Sequence, residues 1–376
     1  MMKHWDLAIV GAGVMGLAHA VYASRAGLSV VVFERSPKAL GASVQNFGML
    51  AIIAQASGRQ LADARRALAD WQEIADQAGI EMEPSGCLFL AREPEEMRVL
   101  EEFCHAASLS DHSANLVKQD DLCRYAAGLR SKDLLGGLWS PDAWKVDQRQ
   151  ATAKIADWLQ RAHDVSVHFS AEARAVDLPY VDTSIGTFKA DHVIICGGDE
   201  FDMLFPDSFQ ATGVTTCKLQ MLRTHPQPDG WRLQPFVLGG LSLTRYSAFA
   251  SCPSLPDLKK LQKRKQSSQL AHGIHVIACQ EADGSVTIGD SHSYGDKLSH
   301  ERSEDIDRLI LNDLATMISL PNPQIAERWL GRYAHLPGNE TLRLSPVNGV
   351  TVVTMTNGQG MTHAFAVAAD VIGHLM

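Results

Sequence analysis

The chain has 376 residues, 45% of them hydrophobic and 20% charged, with a formal net charge of −9. This length points to about two domains, and this composition supports a sizeable core and excludes global disorder. The acidic balance argues against nucleic acid as a partner, because a phosphate backbone demands a basic face.

The sequence opens with a dinucleotide fingerprint. Leu7 to Val10 is a short apolar run, suited to a strand buried on both faces. Gly11, Gly13 and Gly16 follow in G-x-G-x-x-G spacing. The first glycine serves a tight turn, the second the approach of a pyrophosphate, and the third close helix–strand packing. Met15 to Ala26 reads as an alanine-rich helix closed by Gly27, and its N-terminus offers unpaired N–H groups to phosphate. Ser29 to Phe33 is a second buried strand, ended by Glu34, an acid placed to bind ribose hydroxyls. The glycines alone leave FAD and NAD both open.

Further along, Gly41 to Gly58 is dotted with glycine, serine and asparagine and reads as a loop fitted closely against something. The patterning then predicts helices over Leu61 to Ala78, Glu93 to Ser108, Lys118 to Tyr125 and Ala151 to Ala162. Strands are expected at Gly86 to Ala91, Leu135 to Trp139, Val165 to Phe169 and Ala173 to Asp177. Val193 to Cys196 is another buried strand, broken by Gly197 and Gly198. A turn of this kind either runs beneath a nucleotide or simply leads into a loop.

Cys217 to Thr224, Phe236 to Leu238 and Ser242 to Tyr246 are further strand candidates. Arg223 reads as a solvent-facing strand residue. The basic run Lys259 to Lys265 reads as a solvated helix or loop, or as an anion-steering patch. Ile274 to His292 is a hairpin about Asp283-Gly284, and Ser303 to Ile318 a long amphipathic helix. Val350 to Met355, the glycine turn "NGQGM" and a helix from about Thr362 to Leu375 echo the opening unit and bring a second helix N-terminus to a cofactor.

The expected architecture is α/β: a discontinuous, Rossmann-like cofactor domain over residues 1–80, 145–215 and 325–376. A mixed or antiparallel-sheet substrate domain is inserted over 81–144 and 216–324. The seven cysteines contain no C-x-x-C and no zinc-type spacing, so no metal site is read from the sequence and a reduced, cytoplasmic protein is expected. The apolar N-terminal stretch is interrupted by glycines and polar residues, so no membrane span is expected.

Taken together, "FER", the "GASVQNFG" loop, "VIICGG" and "NGQGMTHAF" resemble the D-amino-acid oxidase superfamily of FAD enzymes, the group of glycine and sarcosine oxidases, over nearly the whole chain. The resemblance implies non-covalent FAD, since sarcosine oxidases attach flavin through a cysteine and none stands in the corresponding segment here. It places Gly11, Gly13, Val14, Met15 and Gly16 at the first turn, with Glu34 and Arg35 toward the adenosine. Ser43, Asn46, Phe47, Gly48 and Gly197 fall along the pyrophosphate and flavin. Gly358, Gly360, Met361 and Thr362 fall at the flavin's pyrimidine end, where a helix dipole stabilises negative charge.

His292 in "GDSHSYG" matches a histidine of the "GYHTFG" pattern of monomeric sarcosine oxidase and is the leading catalytic candidate, with Asp290 and Tyr294 beside it. "RWLGRYAHLPG" resembles a segment of glycine oxidase whose arginine pairs with a substrate carboxylate. The aligned residue is Tyr333, with Arg332 one place earlier, able to reach an anion through a local bulge or else facing solvent. A lysine that promotes the oxygen reaction in sarcosine oxidase is replaced by Thr287, which leaves the acceptor open between oxygen and another carrier. Asn46, Gln55 and His363 are further possible contacts.

"GASVQNFGM", "IGDSHSYG" and "GQGMT" also resemble a clade associated with phosphonate breakdown, which implies oxidative deamination of an aminoalkylphosphonate. Glycine or sarcosine oxidation, an NAD-dependent dehydrogenase, and a flavin-bound subunit of a larger complex are the other readings.

Overall fold

The structure is a computed structural model and describes residues 3–107 and 111–376. Its first sheet forms where apolar, β-branched runs can be buried on both faces. His4–Val10 lies between Val30–Glu34 and Gly186–Ile195, parallel to both. Ser166–Phe169 extends the parallel set beyond Val30–Glu34, and Val350–Met355 pairs parallel with Val193 to Ile195. Ala173–Asp177, Tyr180–Thr183 and Thr341–Leu344 add antiparallel margins, giving eight strands.

The helix Val14–Arg25 packs against Gly360–Leu375 on one face of this sheet, with Arg59–Ala78 and Gln148–Ala162 alongside. Its alanines and Gly16 permit the approach: a Cβ on Gly16 would lie 1.9 Å from the Gly11 carbonyl oxygen. Trp71, fully buried, ties the layers by donating Nε1–H to the Met361 carbonyl at 2.8 Å.

A second, nine-stranded sheet is built around the long strand Thr215–Thr224, which pairs antiparallel with Ile325–His335, Val286–Gly289 and Ser293–Gly295. Cys87–Ala91, Gly136–Ser140, Asn115–Lys118, Phe236–Leu238 and Ile277–Gln280 complete it. The expected hairpin forms, with Ile277–Gln280 against Val286–Gly289. A small third sheet joins Met49–Leu50 and Met82–Glu83 through Trp144–Val146.

Four expectations need correction. Residues 325–335 were placed with the cofactor domain, but that strand lies in the second sheet, because its partner is Thr215–Thr224 and pairing between distant segments leaves no local mark. Ser242 to Tyr246 is not a strand: Gly240–Thr244 is a 3₁₀ turn that leads directly into Arg245 and Tyr246. Lys118 to Tyr125 is a 3₁₀ turn over Gln119–Arg124 rather than an α-helix. The loop Gly41 to Gly58 holds two 3₁₀ turns and the short strand Met49–Leu50. The helix expected over Glu93 to Ser108 is Pro94–Ala107, and Ser108 lies outside the described residues. Among the described residues, no helix is long and apolar enough to cross a membrane.

Candidate active site

A cavity of about 780 Å³ runs from Glu34 and Arg35, past the start of the first helix, to a polar chamber under the second sheet. That volume is in the range of cofactor and ligand sites. Gly11, Gly13, Val14 and Met15 line its first part. Gly11 has φ +100°, and a Cβ there would lie 2.5 Å from the Cys196 carbonyl oxygen, so only glycine fits. The first helix begins without an acid in its first turn or a side-chain cap of its own. One of its N–H groups, that of Val14, donates to Ser43 Oγ at 2.9 Å.

Glu34 turns its carboxylate inward, accepting from the N–H of Ala12 and of Ser36, each at 3.0 Å. Arg35 pairs with Glu200 across the cavity mouth. Ser43, Asn46, Phe47 and Gly197 line the middle. The Asn46 side chain is consumed in shaping its own loop: its amide donates to the carbonyls of Ala42 and Ser43, and its oxygen accepts from Gly48 N–H. Gly358, Gly360, Met361 and Thr362 line the far end, where the helix Gly360–Leu375 begins.

Gly16 and Gly48, which the resemblance placed along the cofactor, do not line the cavity, and for Gly16 this agrees with the packing role read from its spacing. Gly16 admits the first helix to the sheet, and a Cβ on Gly48 would lie 2.1 Å from the Val146 carbonyl oxygen. Both glycines serve close backbone packing. His363 is buried rather than solvated, and its Nε2 lies 2.9 Å from Gln55 Oε1. Gln55 lines the cavity and donates to the Ala51 carbonyl and to Gln359, so His363 acts behind it. Burial lowers the His363 pKa to about 4, which keeps its ring neutral.

The polar chamber gathers Arg245, Tyr246, His275, Asp290, His292, Tyr294 and Tyr333. The 3₁₀ turn brings Arg245 in from above. Its guanidinium donates to the hydroxyls of Tyr294 at 3.2 Å and Tyr333 at 3.4 Å, and among the described residues it has no carboxylate within 4.0 Å. Arg245 keeps substantial accessible surface although protein surrounds it densely, because its open side faces the cavity. Gly358 makes room for Tyr333: a Cβ there would meet the tyrosine ring at 3.0 Å.

His275 and Asp290 are brought together by the hairpin, exchanging backbone hydrogen bonds in both directions. His292 follows two residues later, its ring stacked on that of His275 at 5.3 Å. Burial, opposed by the Arg245 charge, raises the Asp290 carboxyl pKa to about 7. Burial first, and Arg245 second, holds both histidines well below the usual imidazole range. Desolvation likewise pushes the Tyr333 hydroxyl upward.

Arg332 does not join this chamber. The pairing of its strand is regular from His335 to Glu327, without the bulge that would turn it inward. Arg332 points to the opposite face and donates Nε–H to Asp199 at 3.0 Å. Thr287 is buried on Glu281, and Glu281 pairs at 2.9 Å with Lys145, a buried lysine from another strand that is not among the cavity's lining residues. Arg223 is largely buried and paired with Glu327 rather than solvated.

Sequence reasoning missed Arg245, His275 and Lys145. The hairpin about Asp283-Gly284 is the signal that could have found His275, since it brings that end of the first strand beside Asp290 and His292. Arg245 carried no such signal, because "LSLTRY" alternates like a strand.

The fold and cavity define a dinucleotide-binding α/β protein with a chamber walled by a second sheet. The model of the FAD dependent oxidoreductase family matches residues 6–373, and the chain belongs to that family. Among solved structures, it is similar to glycine oxidase from Geobacillus kaustophilus, at 18% identity and a TM-score of 0.77 over 99% of this chain and 94% of that one. Glycine oxidase from Bacillus cereus gives 15% identity and a TM-score of 0.78, over 99% and 96%. L-α-glycerophosphate oxidase from Mycoplasma pneumoniae, solved with FAD bound, gives 17% identity and a TM-score of 0.74, over 99% and 94%. No curated protein sequence matches the chain.

The protein is an FAD-dependent oxidoreductase, and its own residues fit the cofactor. Gly11 leaves a cradle that any Cβ would fill, two helix N-termini face one cavity, and Glu34 lines one end of it, where an acid would suit a ribose.

Proposed function

We propose that the protein oxidises a small amine carrying an anionic group, in first place an aminoalkylphosphonate of the 2-aminoethylphosphonate type. Arg245 carries this reading: an enclosed guanidinium, steadied by two tyrosine hydroxyls, aimed at the cavity and lacking a bonded carboxylate. Such a cation is a ready receptor for an anion. Arg245 supplies the positive charge that the glycine-oxidase-like pattern puts on the strand now occupied by Tyr333.

FAD, which Glu34 and the Gly358 turn would help to hold non-covalently, would supply the two-electron acceptor. The chain's own residues do the rest. Arg245 fixes the anionic end, so that the C–H next to nitrogen points along the cavity. Tyr294 and Tyr333 hold the guanidinium in place. His292, neutral through burial, lines the chamber beside Arg245. Phe47, Leu219 and Met221 line the approach and keep it dry. Loss of hydride from that carbon, to the acceptor, leaves an iminium ion, which water hydrolyses to an aldehyde and an ammonium ion or a smaller protonated amine.

Oxygen or another carrier then takes the electrons; Thr287, standing where sarcosine oxidase has a lysine, favours the second. The same chamber also suits glycine or sarcosine, the second reading, supported by the likeness in fold to glycine oxidases. The protein fits a cytoplasmic enzyme of small-amine breakdown.

The test is anaerobic mixing of the flavin-loaded protein with 2-aminoethylphosphonate, its N-methyl and 1-hydroxy forms, sarcosine and glycine. Bleaching at roughly 450 nm, where oxidised flavin absorbs, reports reduction independently of the acceptor. Bleaching by the phosphonates alone supports the first reading. Bleaching by glycine or sarcosine alone replaces it with the second.

A further inference from the structure

We propose that His275, Asp290 and His292 form a binding site for a divalent first-row transition metal ion, open toward the cavity. All three are buried and line the cavity, and one ligand atom from each lies within 4.8 Å of the others. His275 Nε2 is 3.2 Å from Asp290 Oδ1, and His292 Nε2 is 3.7 Å from Asp290 Oδ2. Ligands bonded to one ion at about 2.0–2.2 Å stand roughly 3–3.5 Å apart. The His275–Asp290 pair already has that spacing, and the His292–Asp290 and His275–His292 pairs, within 4.8 Å, reach it by small side-chain shifts.

The hydrogen bonds behind the rings set the tautomers. His292 Nδ1 lies 2.9 Å from the Gly273 carbonyl, which can only accept, so Nδ1 carries the proton and a neutral ring turns the Nε2 lone pair toward Asp290. His275 Nδ1 lies 3.2 Å from Ser242 Oγ, a hydroxyl that can either accept from Nδ1 or donate to it, and accepting leaves the Nε2 lone pair free for a metal. An oxygen acceptor behind each ring is the usual support of a metal-binding histidine. Asp290 Oδ1 is buried without an aligned hydrogen-bond partner among the described residues. With His292 Nε2 unprotonated, its lone pair faces the Asp290 carboxylate, and a cation between them satisfies both.

Two imidazoles and one carboxylate, with a side left open, suit zinc, iron(II), cobalt or manganese rather than calcium or magnesium. The positive charge of Arg245 beside the site favours an anionic oxygen as the fourth ligand.

The test needs no turnover, so its outcome is separate from that of the substrate reading. Flavin-loaded protein is stripped with chelator, dialysed against Co²⁺, and its metal counted by elemental analysis. Asp290→Asn and His275→Gln are carried in parallel, with FAD content and melting temperature recorded. The wild type should retain one more Co²⁺ per chain than either variant. Ser242→Ala, which leaves all three ligands in place, should weaken binding about 10-fold or more. Equal cobalt in the wild type and a folded, flavin-loaded variant overturns the site, as does the absence of bound cobalt in the wild type.

Discussion

Arg332 and Tyr333 are adjacent in sequence and serve opposite sides of one strand: Tyr333 accepts a hydrogen bond from Arg245 in the polar chamber, while Arg332 donates to Asp199 beside the glycine turn. Successive side chains on a strand face opposite ways, so one position in register decides which of them meets the substrate. Arg332→Ala should therefore weaken FAD retention, and the flavin-loaded fraction should be reduced by substrate at nearly the wild-type rate. Arg245→Gln should do the reverse, keeping FAD and lowering kcat/KM for an anionic amine by roughly 10- to 100-fold, the range of one charge-assisted hydrogen bond. Flavin absorbance and stopped-flow reduction separate the two.

Glu34 holds the N–H groups of Ala12 and Ser36 with its two oxygens. Glu34→Gln keeps the shape but makes one of those oxygens a donor facing a donor. FAD should dissociate about tenfold more readily, as read by fluorescence titration of the released flavin. Unchanged affinity would remove Glu34 from the nucleotide site.

The buried His363 makes stability fall in acid. Its folded pKa, about 4, lies below its unfolded value near 6.5, so between those values the unfolded chain binds more protons. Stability attributable to this group is complete above about pH 6.5 and is lost as pH falls toward about 4, on the order of 3 kcal/mol. His363→Gln, which can still donate to Gln55, should flatten the acid limb of a melting-temperature profile between pH 7 and 4. An identical slope would show that the ring is not buried neutral.

Gly358 combines φ +76° with the 3.0 Å approach to the Tyr333 ring. Gly358→Ala meets backbone strain of about 1–2 kcal/mol and displaces the tyrosine. The melting temperature should drop by a few degrees, and substrate-dependent flavin reduction should slow even where FAD remains bound.

Much of the nucleotide half was legible because its signals are local. Gly11 and Gly13 act through their own backbone geometry at the first turn, and Glu34 ends the next strand at a fixed distance along the chain. The same is true of the hairpin about Asp283-Gly284. Gly16 was read for helix–strand packing and serves it, whereas Gly48 was marked as a ligand contact, because a sequence shows that a Cβ is excluded without showing whether a cofactor or another strand excludes it. Contact with the Val146 carbonyl explains Gly48.

The sequence by itself determined the two helix starts, the glycine turns and the apolar strands of a dinucleotide fold, since these follow from spacing and periodicity. Tertiary structure alone decided which side chains share the chamber. Ile325–His335 belongs to the second sheet because Thr215–Thr224 offers it a ladder, and that register turns Tyr333 inward and Arg332 out. Arg245 reaches the cavity because a 3₁₀ turn interrupts an apparent strand. Contacts between segments distant in sequence depend on pairing and packing energies summed over the whole molecule, and no local pattern records them.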